Sequence, residues 1–139
     1  MLFIEKQTIS NELAKRMIEA AEVKARELDI AVNIAVVDDG GHLLAFSRMN
    51  QAPLLSVEIA QNKAYTAVAF GLPTHEWFAL IKDQPALREG IVHTNKLVIF
   101  GGGYPVIRNG KIAGGIGISG GSEEQDQQCA EAALTVITK

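Results

Sequence analysis

Cysteine, basic runs and long apolar stretches are what this 139-residue sequence has least of. The single Cys129 has no partner for an internal disulfide and lies in a helix-patterned segment, so it reads as a buried thiol. Thirteen Lys and Arg against sixteen Asp and Glu give a formal charge of −3 with no concentrated cationic face. That argues against nucleic acid or an anionic membrane as a partner. No apolar stretch approaches the ~18 residues of a membrane helix, and no basic start leads into a long apolar run; the expectation is a cytoplasmic protein. No glycine-rich loop ends in Gly-Lys-Ser/Thr, which argues against a P-loop. No two histidines stand three or four residues apart, which argues against a preformed zinc site in one chain. Neither a Ser-His-Asp arrangement nor a paired-carboxylate signature emerges.

What the chain does have is a near-normal globular composition, 47% apolar and 21% charged. Its length suits one domain spanning residues 1–139, able to bury roughly 70% of the unfolded surface without disulfides or metal. No repeat or linker divides it. Nine of the thirteen glycines fall between Gly101 and Gly121. Glycine permits positive φ and close backbone approach, so this segment is a candidate ligand or subunit contact.

Hydrophobic periodicity predicts a helix from an N-cap at Thr8 to about Asp29, with Ile9, Leu13, Met17, Ala21 and Leu28 on one face. The β-branched run Ile30–Val37, the turn Asp38-Asp39-Gly40-Gly41 and the run Leu43–Phe46 predict a hairpin. A second helix fits Leu54–Phe70, where Ala60, Ala64 and Ala67 would let a neighbour approach closely. Two short helices are expected between Gly71 and Val92, the first capped by Thr74. Strands follow at Leu97–Phe100, Pro105–Arg108 and Lys111–Ile118, the last two joined by Asn109-Gly110, a type I′ turn signal. Ser122 and Gln125 form a capping-box pattern opening the last helix, with Glu123, Glu124 and Asp126 where its dipole favours negative charge. The order α-β-β-α-(short helices)-β-β-β-α implies an α+β domain with a mainly antiparallel, five-stranded sheet flanked by helices.

Four segments together resemble the GlcG/HbpS-type haem-degrading or haem-binding family, which also supplies the C-terminal domain of PduO-type cobalamin adenosyltransferases. They are VVDDGGHLLAFSRM (Val36–Met49), SVEIAQNKAYTAVAF (Ser56–Phe70), FGGGYPV (Phe100–Val106) and GGIGISGGSEEQD (Gly114–Asp126). The resemblance implies a profilin-like fold, homo-oligomers built from dimers, and haem as a cofactor. Where many relatives read Arg-Met-Asp-Gly-Ala, this chain has Arg48-Met49-Asn50-Gln51-Ala52, losing a carboxylate and a glycine.

Haem needs an apolar slot and an axial donor. His42, after a Gly-Gly turn at a strand start, is the first candidate; its alternative is a surface hairpin residue. His75 at a helix start, His93 before a strand and Tyr104 rank behind it. Lys63 lies on the apolar side of its helix and needs a carboxylate or a route to water; Asp38 is the expected partner. Arg48 and Lys63 either form structural ion pairs or hold propionates or another carboxylate. The junction Ser119-Gly120-Gly121 offers backbone N–H groups to an anion at a helix start, or its glycines pack strands in a subunit interface. Three functions remain open at this point. The first is a haem- or tetrapyrrole-binding accessory or sensor protein using His42, Arg48 and Lys63. The second is an enzyme on a small carboxylate-bearing metabolite, with Lys63 or Asp38 as acid/base and Arg48 as clamp. The third is an assembly module built on the glycine-rich strand.

Overall fold

The computed structural model describes residues 1–137. Its elements run α1 (Asn11–Glu27), β1 (Asn33–Asp38), β2 (Leu43–Arg48), α2 (Leu55–Phe70), a 3-10 turn (Thr74–Glu76), α3 (Trp77–Ile81), α4 (Pro85–Ile91), β3 (Gly103–Arg108), β4 (Lys111–Ser119) and α5 (Glu123–Leu134). The strands form one antiparallel sheet in the order β2-β1-β4-β3. Alternation along the strands sends Ile34, Val36, Ile116 and Ile118 to the face covered by α1 and α5, and Ala35 and Val37 to the face covered by α2.

Among the described residues the sheet has four strands, not five. Leu97–Phe100 stays out of it because its backbone is committed elsewhere: Thr66 Oγ1 on α2 accepts from Val98 N at 3.0 Å and donates to Lys96 O at 2.8 Å. A residue bonded this way to a helix has no amide left for a ladder. The first N-cap is Ser10, which accepts from Leu13 N, rather than Thr8. Thr8 Oγ1 instead accepts from Asp39 N and donates to Ala113 O, tying the incoming chain to the sheet. Thr74 is likewise no cap; it is buried, and its hydroxyl accepts from Gly103 N. The capping box at Ser122 and Gln125 forms as expected, and Pro105 falls on an edge strand, where its missing N–H costs no ladder bond.

The glycines of β4 serve a close approach within this chain. A Cβ at Gly115 would stand 2.6 Å from Val68 Cγ2 and 3.0 Å from Ala64 O, and one at Gly117 would overlap the carbonyl oxygen of Ala60. With no side chain on the strand and alanines on the helix, α2 lies directly on the sheet backbone. Among the described residues no helix is long and apolar enough to cross a membrane.

Candidate functional site

The close approach of α2 decides the fate of Lys63. Its side chain is 1% exposed, runs past Gly117 and Gly102, and ends 3.1 Å from Asp126 Oδ2 and 2.8 Å from the carbonyl oxygen of Ile118. The Phe100 ring lies 5.2 Å from the ammonium. The partner is therefore Asp126 on α5, not Asp38, because α2 presents Lys63 to the far end of β4, while Asp38 lies at the opposite end of β1. Burial pushes the Lys63 amine below its ordinary value, against the pull of Asp126. Burial likewise pushes the Asp126 carboxyl up, against Lys63 and the amides of Gly120 and Gly121.

Those amides are the ones that sequence offers to an outside anion. Gly121 N donates to Asp126 Oδ1 at 2.9 Å, and Gly101 N to Glu123 Oε2 at 2.6 Å. The chain's own carboxylates take the Gly121 and Gly101 donors, so an outside anion would have to compete for them. Ser119 itself is buried.

Asp38 organises the β1–β2 turn. Its Oδ1 accepts from Gly40 N and His42 N, both at 2.9 Å, and lies 3.2 Å from His42 Nδ1. A carboxylate can only accept, so Nδ1 carries a proton in this contact, and in the neutral ring the lone pair is then on Nε2. The His42 side chain is 82% exposed. Beside the turn lies a depression of about 210 Å³ lined by Val37, Gly41, Leu43, Gln61, Asn62, Tyr65 and Lys96, with the Lys96 ammonium 4.8 Å from the Tyr65 ring centroid. Leu43, Tyr65 and nearby Phe70 on α2 are exposed apolar groups. Tyr65 and Lys96 were not singled out from the sequence. Tyr65 lies in a helix motif with apolar residues on all sides, and Lys96 in a loop with no pattern.

Arg48 ends β2, and His42 immediately precedes its first residue. Six extended residues at ~3.3 Å each separate them by about 20 Å, so one small ligand cannot meet both side chains directly. Arg48 Nε and one terminal nitrogen donate to Ala52 O at 3.2 and 2.9 Å. It borders a wider depression of about 610 Å³ with Glu22, Arg26, Asp29, Met49, Asn50 and Gln51. The sequence triad His42, Arg48 and Lys63 is thus split among a surface turn, the opposite end of β2 and the interior.

The lesser candidates are placed as follows. The Tyr104 hydroxyl donates to Glu131 at 2.7 Å, and burial raises its pKa. The His75 ring lies 5.5 Å from that of Tyr104, and its Nδ1 is buried without a partner. His93 is exposed after α4. Cys129 is fully buried, and burial pushes its thiol up to about 11, which leaves it inert at neutral pH. Among the described residues no three His, Cys, Asp or Glu cluster in a way that could hold a metal ion.

Comparison with known proteins places this geometry. A family model described as haem degrading protein HbpS-like matches residues 9–135. An uncharacterized 15.0 kDa protein in the dhaT-dhaS intergenic region of Citrobacter freundii is 46% identical over 134 residues, 95% of this chain and 94% of that protein. The corrinoid adenosyltransferase PduO of the same organism is 41% identical over 131 residues, which are 94% of this chain but 39% of PduO. The crystal structure of a PduOC:heme complex superposes with a TM-score of 0.85 at 38% identity, covering 94% of this chain and 96% of that one. With the fold and the four motifs accounted for along nearly the whole chain, the protein belongs to the HbpS-like family.

Proposed function

We propose that this chain binds haem or a related tetrapyrrole at the face built from the β1–β2 turn and the outer side of α2, as an accessory or sensor protein. One observation carries the reading: His42 has its Nδ1 3.2 Å from Asp38 Oδ1 on a ring that is 82% exposed, which leaves Nε2 accessible as a donor in the neutral form. Anchoring one imidazole nitrogen on a carboxylate fixes the tautomer and raises the basicity of the other, the usual arrangement of a metal-ligating histidine. Tyr65 and Leu43 supply apolar contact. Lys96 takes the role of propionate partner that the sequence suggests for Arg48 and Lys63, since Lys63 is buried against Asp126 and Arg48 lies at the far end of β2. A bound iron tetrapyrrole would supply a redox-active centre with coordination positions; the chain supplies donor, wall and cation. The haem complex of the related PduOC domain supports the choice of ligand.

Titration of the purified protein with haemin, followed by the Soret band, tests this. A saturable shift in the wild type that is lost in His42→Ala with unchanged circular dichroism is expected. Equal affinity in both proteins removes His42, and a weak, non-saturating rise in both discards the haem reading.

A second reading has one observation in its favour. Arg26 and Arg48 face a common depression of about 610 Å³, large enough for a small carboxylate-bearing metabolite. Glu22 and Asp29 share that lining and oppose an anion, so the reading ranks second. Calorimetric titration with hydroxy acids, compared between wild type and Arg48→Met, decides it: binding by the wild type that Arg48→Met abolishes supports it, and heats of dilution alone reject it.

A further inference from the structure

Building on the second reading above, a carboxylate-bearing ligand at the depression beside Arg48, we propose that this site takes a small zwitterion, an amino acid. Its carboxylate meets arginine, and its ammonium meets Glu22 and Asp29. The depression lies where the end of β2 and the turn after it face the last turns of α1. At about 610 Å³ it falls in the range of small-molecule sites.

The charges that line it are balanced and unspent. Arg26 and Arg48 bring two guanidinium groups, and Glu22 and Asp29 bring two carboxylates. Among the described residues none of the four forms an ion pair at 4.0 Å or less. Glu22 and Arg26 even stand four residues apart on α1, the spacing at which opposite charges pair on a helix, and they do not pair. An anion alone would face both carboxylates, and a cation alone both arginines. A ligand carrying one charge of each sign has partners at both ends and leaves the site neutral.

Neutral partners hold two of these groups in place. Arg48 Nε and Nη2 donate to Ala52 O at 3.2 and 2.9 Å, which occupies one edge of the guanidinium plane. The other edge, formed by Nη1 and the second N–H of Nη2, is the fork that a carboxylate takes bidentately. The Ser47 hydroxyl donates to Glu22 Oε2, which leaves Oε1 for an ammonium. Asp29 follows the C-terminal end of α1, where the helix dipole adds negative potential. Asn50 and Gln51 complete the lining with amides that both donate and accept. Because these anchors keep the opposite charges apart, less ordering is left for the ligand to impose.

Calorimetric titration at pH 7 on one carbon skeleton separates the two charges. L-alanine carries both, L-lactate only the carboxylate, and L-alaninamide only the ammonium. Each is titrated into wild type, Arg48→Met and Glu22→Gln, with circular dichroism checking that the variants keep the fold. L-alanine should saturate at one per chain and bind about tenfold or more tighter than either analogue, the worth of one charge-assisted hydrogen bond. Arg48→Met should weaken L-alanine and L-lactate alike, while Glu22→Gln should weaken L-alanine and tighten L-lactate. L-lactate binding as tightly as L-alanine, and indifferent to Glu22→Gln, overturns the zwitterion and leaves the carboxylate reading standing. L-alaninamide matching L-alanine, or heats of dilution alone for all three, overturns both.

Discussion

Replacing Asp126 by Asn removes one charge from the interior with almost no change of shape, and its cost follows from where Lys63 is held. Lys63 is 1% exposed and has two acceptors, Asp126 Oδ2 and Ile118 O. In Asp126→Asn the ammonium keeps the carbonyl and loses the carboxylate. Removing one partner of a buried pair costs about 3–5 kcal/mol, because an uncompensated charge stays in a poorly solvating site. Against a typical total of about 5–15 kcal/mol, that is a large fraction, and in a domain of this size it lowers Tm by about 10 °C or more. Lys63→Met should cost less, since the carboxylate would still accept from the amide of Gly121, and Met can follow the same path past Gly117. The double variant should be more stable than the two single losses predict when added.

The pH dependence has a definite sign. Burial lowers the folded pKa of Lys63 below 10.5, so between that lowered value and 10.5 the unfolded chain binds more protons and stability rises with pH. Without Asp126 the lowering is greater, so the deficit of Asp126→Asn should shrink between pH 7 and 10. Asp126 works the other way: its folded pKa is raised above 3.8, the folded state binds more protons between the two values, and stability from this group grows as pH falls through them. Urea unfolding of the wild type, both single variants and the double variant at pH 7 and pH 9.5 checks the losses and the Lys63 dependence, and the same series at pH 4 checks that of Asp126. A loss under about 1 kcal/mol for Asp126→Asn at pH 7, or a deficit that does not narrow at pH 9.5, would refute the reasoning from an uncompensated buried charge.

Two further predictions concern backbone. Gly117→Ala places a methyl against the carbonyl of Ala60 and forces α2 off the sheet; we expect a loss of about 3 kcal/mol or more, or no soluble protein, and a normal melting curve would contradict the packing described. Gln51 sits at φ 68, in the left-handed region; Gln51→Gly should raise stability by about 1 kcal/mol, read as a higher urea midpoint, and a lower midpoint would show that the Gln51 side chain contributes more than its backbone strain costs.

Local chemistry made much of the fold legible. The capping box at Ser122, the Asp38–Gly41 turn and the Asn109-Gly110 hairpin each rest on bonds within a few residues, and each appears where the sequence places it. The fifth strand failed for the opposite reason: Leu97–Phe100 has strand composition, but a hydroxyl thirty residues away takes its hydrogen bonds. The clustered glycines mark a close approach, but only the structure shows that the approaching surface is α2 of the same chain.

The sequence by itself therefore determined the family, the helices, the hairpins and the demand that Lys63 find a partner, because caps, turns and periodicity act over short distances. Tertiary structure alone decided which groups meet. It carried Lys63 to Asp126 across 63 residues of chain. It bonded the amide of Gly121 to that same carboxylate, and it set His42 just before β2 and Arg48 at the other end of it. Such pairings depend on how helices cross a sheet, a relation between distant elements that no local pattern encodes.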